Sequence, residues 1–129
     1  MSKESALKWY QQSLHDLEMA EKNIDIEGYD ISAFLCEQAV EKLLKAIFIL
    51  QGRKMPRTHY IDELATELNL SDEIIDDVLD LSGDYTFSRY PDVADVVPYR
   101  AYNEEIAEAK VQTAKRIFAN LKNLVFELE

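Results

Sequence analysis

A stretch of 23 residues, from Tyr29 to Gln51, constrains the fold more than any other part of the chain. Its apolar residues recur at spacings of three and four, which predicts a helix. At about 1.5 Å per residue it would be roughly 34 Å long, enough for the central helix of a small bundle. Asp30 is the predicted N-cap, and Gly52 stands where a left-handed residue ends many helices. The opposite face, where we expect a solvated or ion-paired surface, carries Glu37, Gln38, Glu41, Lys42 and Lys45.

The rest of the chain also predicts helices. The first covers residues 5–27, a short third runs from Tyr60 to Leu68, a fourth follows its cap Ser71, and the last runs from its cap Asn103 nearly to the end. All three glycines fall at predicted helix ends and all three prolines in connections, as expected because both residue types disrupt helix interiors. No segment alternates with period two. The sequence therefore predicts one all-α domain over residues 1–129, an up-and-down antiparallel bundle of four to five helices.

The connection from Asp84 to Tyr102 is 19 residues long and has no clear periodicity. Loops of that length are uncommon in compact domains and are often functional. This one holds five of the chain's 13 aromatic residues, so we expect it to pack onto the bundle. Pro91 disfavours helical geometry at Tyr90, which would aim Arg89 and Tyr90 across a neighbouring groove. The rings either plug the end of the bundle or frame a polar–aromatic site.

The formal net charge of −11 argues against free, sequence-independent binding to nucleic acid, which depends on Lys and Arg. Between Tyr60 and Ser88 there are nine carboxylates and no Lys or Arg, which is either a solvated face or a docking surface for a basic partner. The single cysteine, Cys36, excludes an internal disulfide and lies among apolar residues. No signal peptide is visible, and the longest apolar run is too short to cross a bilayer. We therefore expect a cytoplasmic protein that does not enter the membrane.

Three groups of residues stand in a distinctive order and spacing. They are Trp9 with Asp16-Leu17 and Ala20; the run from Cys36 to Ala46, followed by Gly52, Pro56 and Thr58-His59; and Ser88-Arg89-Tyr90-Pro91-Asp92, followed by Tyr99 and Tyr102. Together they resemble the HEPN domain (higher eukaryotes and prokaryotes nucleotide-binding) over roughly residues 7–125. The resemblance implies a five-helix bundle that self-associates as a homodimer. It also implies genetic pairing with a minimal nucleotidyltransferase, often as a toxin–antitoxin-like couple.

Many HEPN proteins are metal-independent ribonucleases whose motif is Arg, four to six residues, then His near the start of the terminal helix. Such chemistry needs a cation for the phosphate and a group that titrates near neutral pH. No His stands at that spacing after Arg89, Arg100 or Arg116. Arg53 and His59 match the spacing, but they lie in the connector between the second and third helices. That is the wrong place for the motif.

The leading hypothesis is a non-catalytic HEPN-type module that binds a nucleotide and a partner protein without a metal or cofactor. Its predicted ligand groove lies between the long helix and the long loop, and its residues are Gln38, Glu41, Lys45, Arg89 and Tyr90. Arg89 would hold a phosphate and Tyr90 would stack on a base or ribose; in the competing interpretation Arg89 pairs with Glu41 and pins the loop. The alternatives are a ribonuclease toxin with an atypical site and a structural dimerising bundle without a ligand.

Overall fold

Four long helices and several short ones make up the chain in the computed structural model, which describes residues 2–93 and 96–129. In chain order the α-helices are α1 (Lys3–Asp25), α2 (Tyr29–Leu50), α3 (Ile61–Glu67), α4 (Asp72–Ser82), α5 (Asp84–Phe87), α6 (Glu104–Asn120) and α7 (Lys122–Val125). Short 3₁₀ turns cover Pro91–Val93, Pro98–Ala101 and Phe126–Leu128. All regular structure in the described residues is helical, which confirms the predicted class. None of these helices has both the length and the apolar character that a membrane span requires.

Side-chain pairs between the long helices give their relative directions. Lys45, near the end of α2, lies over the ring of Trp9, near the start of α1. Further along, Lys42 pairs with Asp16. Since later residues of α2 meet earlier residues of α1, the two helices run antiparallel, joined by a connection of three residues.

The last long helix, α6, runs against both α1 and α4. Its end lies beside the start of each neighbour, and its start lies beside the end of each. The pairs that show this are Arg116 with Asp77 and Lys110 with Asp80 for α4, and Lys115 with Glu21 for α1, where Tyr10 also meets Glu129 beyond α7. Successive long helices therefore alternate in direction, as an up-and-down bundle requires.

The core is centred on α2, as the sequence predicts. Leu43, Leu44, Ile47 and Phe48 are each 1% exposed or less. Around them pack apolar side chains of α3, α4, α6 and the segment after α6, namely Ile61, Leu64, Val78, Leu81, Ile117 and Leu121. Cys36 is also buried, and burial raises the pKa of its thiol to about 12, so it is an unreactive core residue.

Three predicted helix ends are confirmed. Gly52 follows α2 with a φ of +67°, a left-handed conformation that glycine adopts without strain. The hydroxyl of Ser71 accepts a hydrogen bond from a backbone N–H in the first turn of α4. The side chain of Asn103 does the same for α6. These caps satisfy backbone donors that would otherwise lack partners.

The predicted boundary between the first two helices is wrong in detail. Asp30 lies inside the first turn of α2 and is not its N-cap, because the helix already begins at Tyr29. Glu27, with a φ of 62°, is the left-handed residue that follows α1. Gly28 has a different role: a Cβ there would stand 3.0 Å from the side-chain oxygen of Asn23. The glycine thus permits a close approach of the two helix ends.

The predicted 19-residue connection contains α5 and two 3₁₀ turns, so it is not free of structure. Its residues 94 and 95, like Met1, lie outside the described residues. Tyr102 is buried and packs edge-on against Phe87, with ring centroids 5.9 Å apart. Tyr90 and Tyr99 are instead exposed, by 44% and 56%. Some rings therefore close the bundle end, while others remain free to contact a ligand.

Candidate functional site

The polar face of α2 is ion-paired, which is one of the two states expected from the sequence, and most of it lies inside the protein rather than on an open surface. Glu37 is 0% exposed, Glu41 4% and Lys45 7%. This face is covered on one side by α1 and on the other by the connector after α2. Buried charges are stable only when they are paired and hydrogen-bonded. Their partners therefore decide how the surrounding segments are placed.

The carboxylate of Glu41 is the centre of this polar cluster. Its Oε2 accepts a hydrogen bond from Lys45 Nζ at 2.8 Å, and His59 Nδ1 lies 3.1 Å from the same oxygen. Its Oε1 accepts from Gln38 Nε2 at 3.3 Å. Lys45 also lies over the ring of Trp9, 5.6 Å from its centroid. The side chain of Glu41 thus joins α2 to the connector before α3, and Lys45 links this cluster to α1.

Arg89 is held by aromatic rings. Its guanidinium carbon lies 5.1 Å from the ring centroid of Phe34, 4.9 Å from that of Tyr85 and 5.2 Å from that of Tyr90. The backbone N–H groups of Arg89 and Tyr90 both donate to the carbonyl of Thr86, which ends α5 in a tight turn. The face of a neutral aromatic ring has a negative electrostatic potential, so these rings attract the guanidinium while its net charge remains.

Tyr85 lies between the Glu41 cluster and Arg89. Its ring contacts Arg89 and also stacks on the imidazole of His59, with centroids 5.4 Å apart and planes only 7° from parallel. The five predicted residues thus lie in two groups: Gln38, Glu41 and Lys45 form one hydrogen-bonded set, and Arg89 and Tyr90 form a cation–aromatic pair. His59 and Tyr85 bridge them.

Two pairings considered from the sequence do not form among the described residues. Glu41 pairs with Lys45 and His59, and Arg89 lies outside ion-pair distance of it. Arg53 donates to the backbone carbonyl of Glu67 at 2.8 Å, near the end of α3. No hydrogen bond joins Arg53 to His59 among the described residues.

The buried side chain of Asp84 holds α5 in place and, with it, Tyr85 and Arg89. Asp84 Oδ1 accepts a hydrogen bond from the hydroxyl of Tyr102 at 2.6 Å, and its Oδ2 lies 3.1 Å from Lys110 Nζ of α6. Burial raises the pKa of Asp84, and the hydrogen bond from Tyr102 and the charge of Lys110 offset part of that increase. Loss of these two contacts of Asp84 would therefore release the segment that carries Tyr85 and Arg89.

Comparison with known proteins identifies the family. The family model for the HEPN domain matches residues 6–124. The chain belongs to the HEPN domain family. A search of curated proteins finds no match.

Crystal structures of similar proteins have the same fold as this HEPN domain. TT1696 from Thermus thermophilus is 25% identical with a TM-score of 0.85, and the match covers 92% of this chain and 97% of that one. ST0689, described as an archaeal HEPN homologue, is 32% identical with a TM-score of 0.79, over 96% and 98% of the two chains. The HEPN domain protein tm0613 from Thermotoga maritima is 23% identical with a TM-score of 0.73, over 92% and 97%.

Sequence reasoning missed Phe34, Tyr85 and the bridging position of His59 in this HEPN domain. Phe34 stands on α2 one turn before Gln38, a spacing that places both on one side of the helix. The adjacent pair Thr58-His59 belongs to the motif that carries the resemblance, but nothing in the sequence shows that it contacts Glu41. Tyr85 could have been found only by recognising α5, a helix of four residues.

Glu37 is the one member of the polar face whose carboxyl is poorly paired. Its Oε1 has no hydrogen-bond partner among the described residues, and Gln38 lies 3.4 Å from its Oε2. Burial, reinforced by the charge of Glu41, raises the pKa of Glu37 from 4.5 to about 8. Between about pH 4.5 and 8 the folded protein therefore keeps a proton on Glu37 that the unfolded chain has already released.

We expect this buried acid to make the free energy of unfolding fall as pH rises from 4.5 to about 8. Glu37→Gln cannot ionise, so the variant should lack this decline and be more stable than the parent by roughly 1 kcal/mol or more at the upper end. Below pH 4.5 both states of the parent are protonated, and the advantage should disappear. Urea unfolding followed by circular dichroism across this range measures the effect. Glu108→Gln, at an exposed site on α6, is the control, and parallel pH profiles for all three proteins would contradict the prediction.

Proposed function

We propose that this HEPN domain is a non-catalytic module that binds a nucleotide between α2 and α5. The observation that carries the proposal is the exposed Arg89–Tyr90 pair beside the Glu41 cluster. A guanidinium can hold a phosphate through paired hydrogen bonds, and an exposed ring can stack on a base or ribose. Gln38, which is half-buried, lies nearest the surface of the three α2 residues. Glu41 and Lys45 support the site from beneath.

We further propose that the domain acts as a homodimer. An apolar groove of about 580 Å³ lies between α1 and α6, lined by Leu7, Leu14, Leu17 and Phe118 among others. Leu14 is 42% exposed although it lies in the apolar stripe of α1. A second copy of the same chain would bury this stripe against its own α1 and α6 in a symmetric contact. The self-association that the resemblance implies would likewise require a surface that two copies of the chain can bury against each other.

The proposed protein partner is a minimal nucleotidyltransferase, paired with this chain in a toxin–antitoxin-like couple within the cytoplasm. The resemblance supplies the partner's class, and the acidic surface supports a basic contact. Asp77 pairs with Arg116, and Lys110 lies between Asp80 and Asp84. No cation lies within 4 Å of Asp72, Glu73 or Asp76 among the described residues. These three carboxylates define an acidic patch at the start of α4, which would attract a basic surface and set specificity.

A ribonuclease with an atypical site is the second candidate. The observation that favours it is His59, whose imidazole is oriented by a buried carboxylate, as in general acid–base sites. Against it, Arg53 is directed toward Glu67. Cleavage of RNA by the purified protein that is lost in His59→Ala would favour this candidate over a binding module.

The nucleotide proposal predicts that Arg89→Gln weakens binding of AMP by about tenfold, because a charge-assisted hydrogen bond is worth about 1.5 kcal/mol or more. Isothermal titration calorimetry measures the affinity. Arg100→Gln is the matched control, since Arg100 also lies over a neighbouring tyrosine in the same segment. Absence of heat with millimolar AMP and other common nucleotides would refute the binding role. If Arg89→Gln also left the melting temperature unchanged, pinning of the segment by Arg89 would be refuted as well.

The homodimer proposal predicts twice the monomer mass of 14.9 kDa in light scattering after gel filtration. Leu14→Glu should give the monomer mass, because a carboxylate in the groove would have to be desolvated on association. Leu79→Glu introduces the same change at a site on α4 that is 51% exposed and outside the groove, and it should leave the dimer intact. A monomeric parent at high micromolar concentration would rule the proposal out.

The partner proposal predicts co-purification when the chain is co-expressed with a neighbouring nucleotidyltransferase gene. Neutralising the acidic patch (Asp72→Asn, Glu73→Gln and Asp76→Asn together) should reduce recovery of the partner, and added salt should do the same to the parent complex. Neutralising Glu104, Glu105 and Glu108 of α6 removes the same charge elsewhere and is the control. Equal recovery with both triple variants would show that the acidic patch is not the contact.

A further inference from the structure

A small cleft of about 200 Å³ lies beside His59 and Tyr85. It is formed by the connector before α3 and by α5, and is lined by Arg57, Thr58, His59, Tyr60, Tyr85 and Thr86. Several of these side chains carry hydrogen-bond donors, and Arg57 is an exposed cation. Tyr60, 57% exposed, offers a free ring at the edge. The cleft therefore combines positive charge, hydroxyl groups and an aromatic surface.

The imidazole of His59 is fixed in this cleft although its side chain is 63% exposed. Its Nδ1 faces the carboxylate of Glu41 at 3.1 Å, and its ring is stacked on Tyr85. A carboxylate oxygen only accepts hydrogen bonds, so Nδ1 is the nitrogen that carries the hydrogen. This assignment leaves Nε2 as the ring nitrogen available to a ligand.

We propose that His59 Nε2 and the guanidinium of Arg57 bind a terminal phosphate monoester in this cleft. The inference rests on the proposed function, because it adds a phosphate position at His59 to the one proposed at Arg89 in the neighbouring groove. A phosphate monoester is the ligand that matches an imidazolium and a guanidinium, since its three terminal oxygens accept hydrogen bonds from both. The hydroxyl of Thr86, which lines the same cleft, offers a further donor.

The cleft is lined by one cation, Arg57, and by no carboxylate among the described residues. Lys45 pairs with the carboxylate of Glu41 on α2, and Arg89 lies over the ring of Tyr85. The carboxylates of α3 (Asp62, Glu63 and Glu67) line a neighbouring cleft that also contains Arg57 and Thr58. Glu63 Oε2 accepts a hydrogen bond from Thr58 at 2.7 Å, and Glu67 lies 3.9 Å from Arg53.

A hydrogen bond from Nε2 to the phosphate requires the doubly protonated ring, because Nδ1 already carries a hydrogen toward Glu41. Bound to a phosphate, His59 would therefore be an imidazolium.

The test observes His59 directly. The chain has two histidines, so His15→Gln leaves His59 as the only imidazole in a long-range ¹H–¹⁵N spectrum. Titration with inorganic phosphate and with AMP should shift its Nε2 resonance, and adenosine should not. His59→Gln should lower the affinity for inorganic phosphate by about tenfold, whereas His15→Gln should bind like the parent. An Nε2 resonance that does not move at millimolar phosphate would overturn the proposal.

A second pair of variants tests the guanidinium. Arg57→Gln should lower phosphate affinity to a similar extent, while Lys54→Gln, at an exposed neighbouring site outside the cleft, should have little effect. Equal losses in both variants would show that only general positive charge matters and would overturn the assignment of Arg57.

The outcome also separates this inference from the nucleotide groove. If Arg89→Gln weakens AMP binding while His59 stays unperturbed, the groove is supported and the phosphate cleft is wrong. If inorganic phosphate shifts His59 but AMP binding is insensitive to Arg89→Gln, the cleft is supported and the groove at Arg89 is wrong.

Discussion

A carboxylate buried in the middle of an apolar helix is the constraint on which the rest of this structure depends. Moving such a group out of water costs several kcal/mol unless partners replace its hydration. Glu41 obtains those partners from Gln38 and Lys45 on its own helix and from His59 on the connector. Because one partner is 18 residues away in sequence, satisfying Glu41 also fixes the path of the chain after α2. A core of Leu and Ile alone would not specify that path.

The same cluster positions the aromatic half of the site. His59, once held by Glu41, presents a flat surface on which Tyr85 stacks, and Tyr85 in turn contacts Arg89. A second buried carboxylate, Asp84, holds α5 against α6 from the other side. Two buried acids thus secure a segment of irregular backbone at both of its faces. This arrangement explains how a stretch without helical periodicity can present side chains in fixed positions.

The helices could be predicted from the sequence because their signals are local. Ser71 and Asn103 cap the helices they precede, and Gly52 adopts the left-handed conformation expected after α2. The environment of the polar face could not be predicted in this way. Periodicity shows that Glu37 and Glu41 share a side of α2, but only the packing of α1 and the connector shows that this side is buried. Residues far apart in sequence decide burial, and a single sequence does not report their distances.

Only part of the candidate site could be proposed from the sequence, because its contacts also join residues that are far apart in the chain. Pro91 and the aromatic residues around it mark Arg89 and Tyr90 as unusual, and the structure places both at the surface. Their proposed partner on α2 was chosen by charge, which is a long-range and unspecific criterion. The structure resolves the choice differently: Lys45 is one helical turn from Glu41 and reaches it at little entropic cost, whereas Arg89 finds three rings closer at hand.

The connector between α2 and α3 lies between two clefts. Arg57 and Thr58 line the phosphate cleft on one side and, on the other, a second cleft of about 480 Å³ whose lining includes Asp62, Glu63 and Glu67. A phosphate at His59 would therefore contact a connector that also borders the carboxylates of α3, whereas the acidic patch proposed for the basic partner lies at the start of α4. If binding of the phosphate moves the connector and thereby changes the affinity for a basic partner, binding of the partner changes the affinity for the phosphate by the same factor.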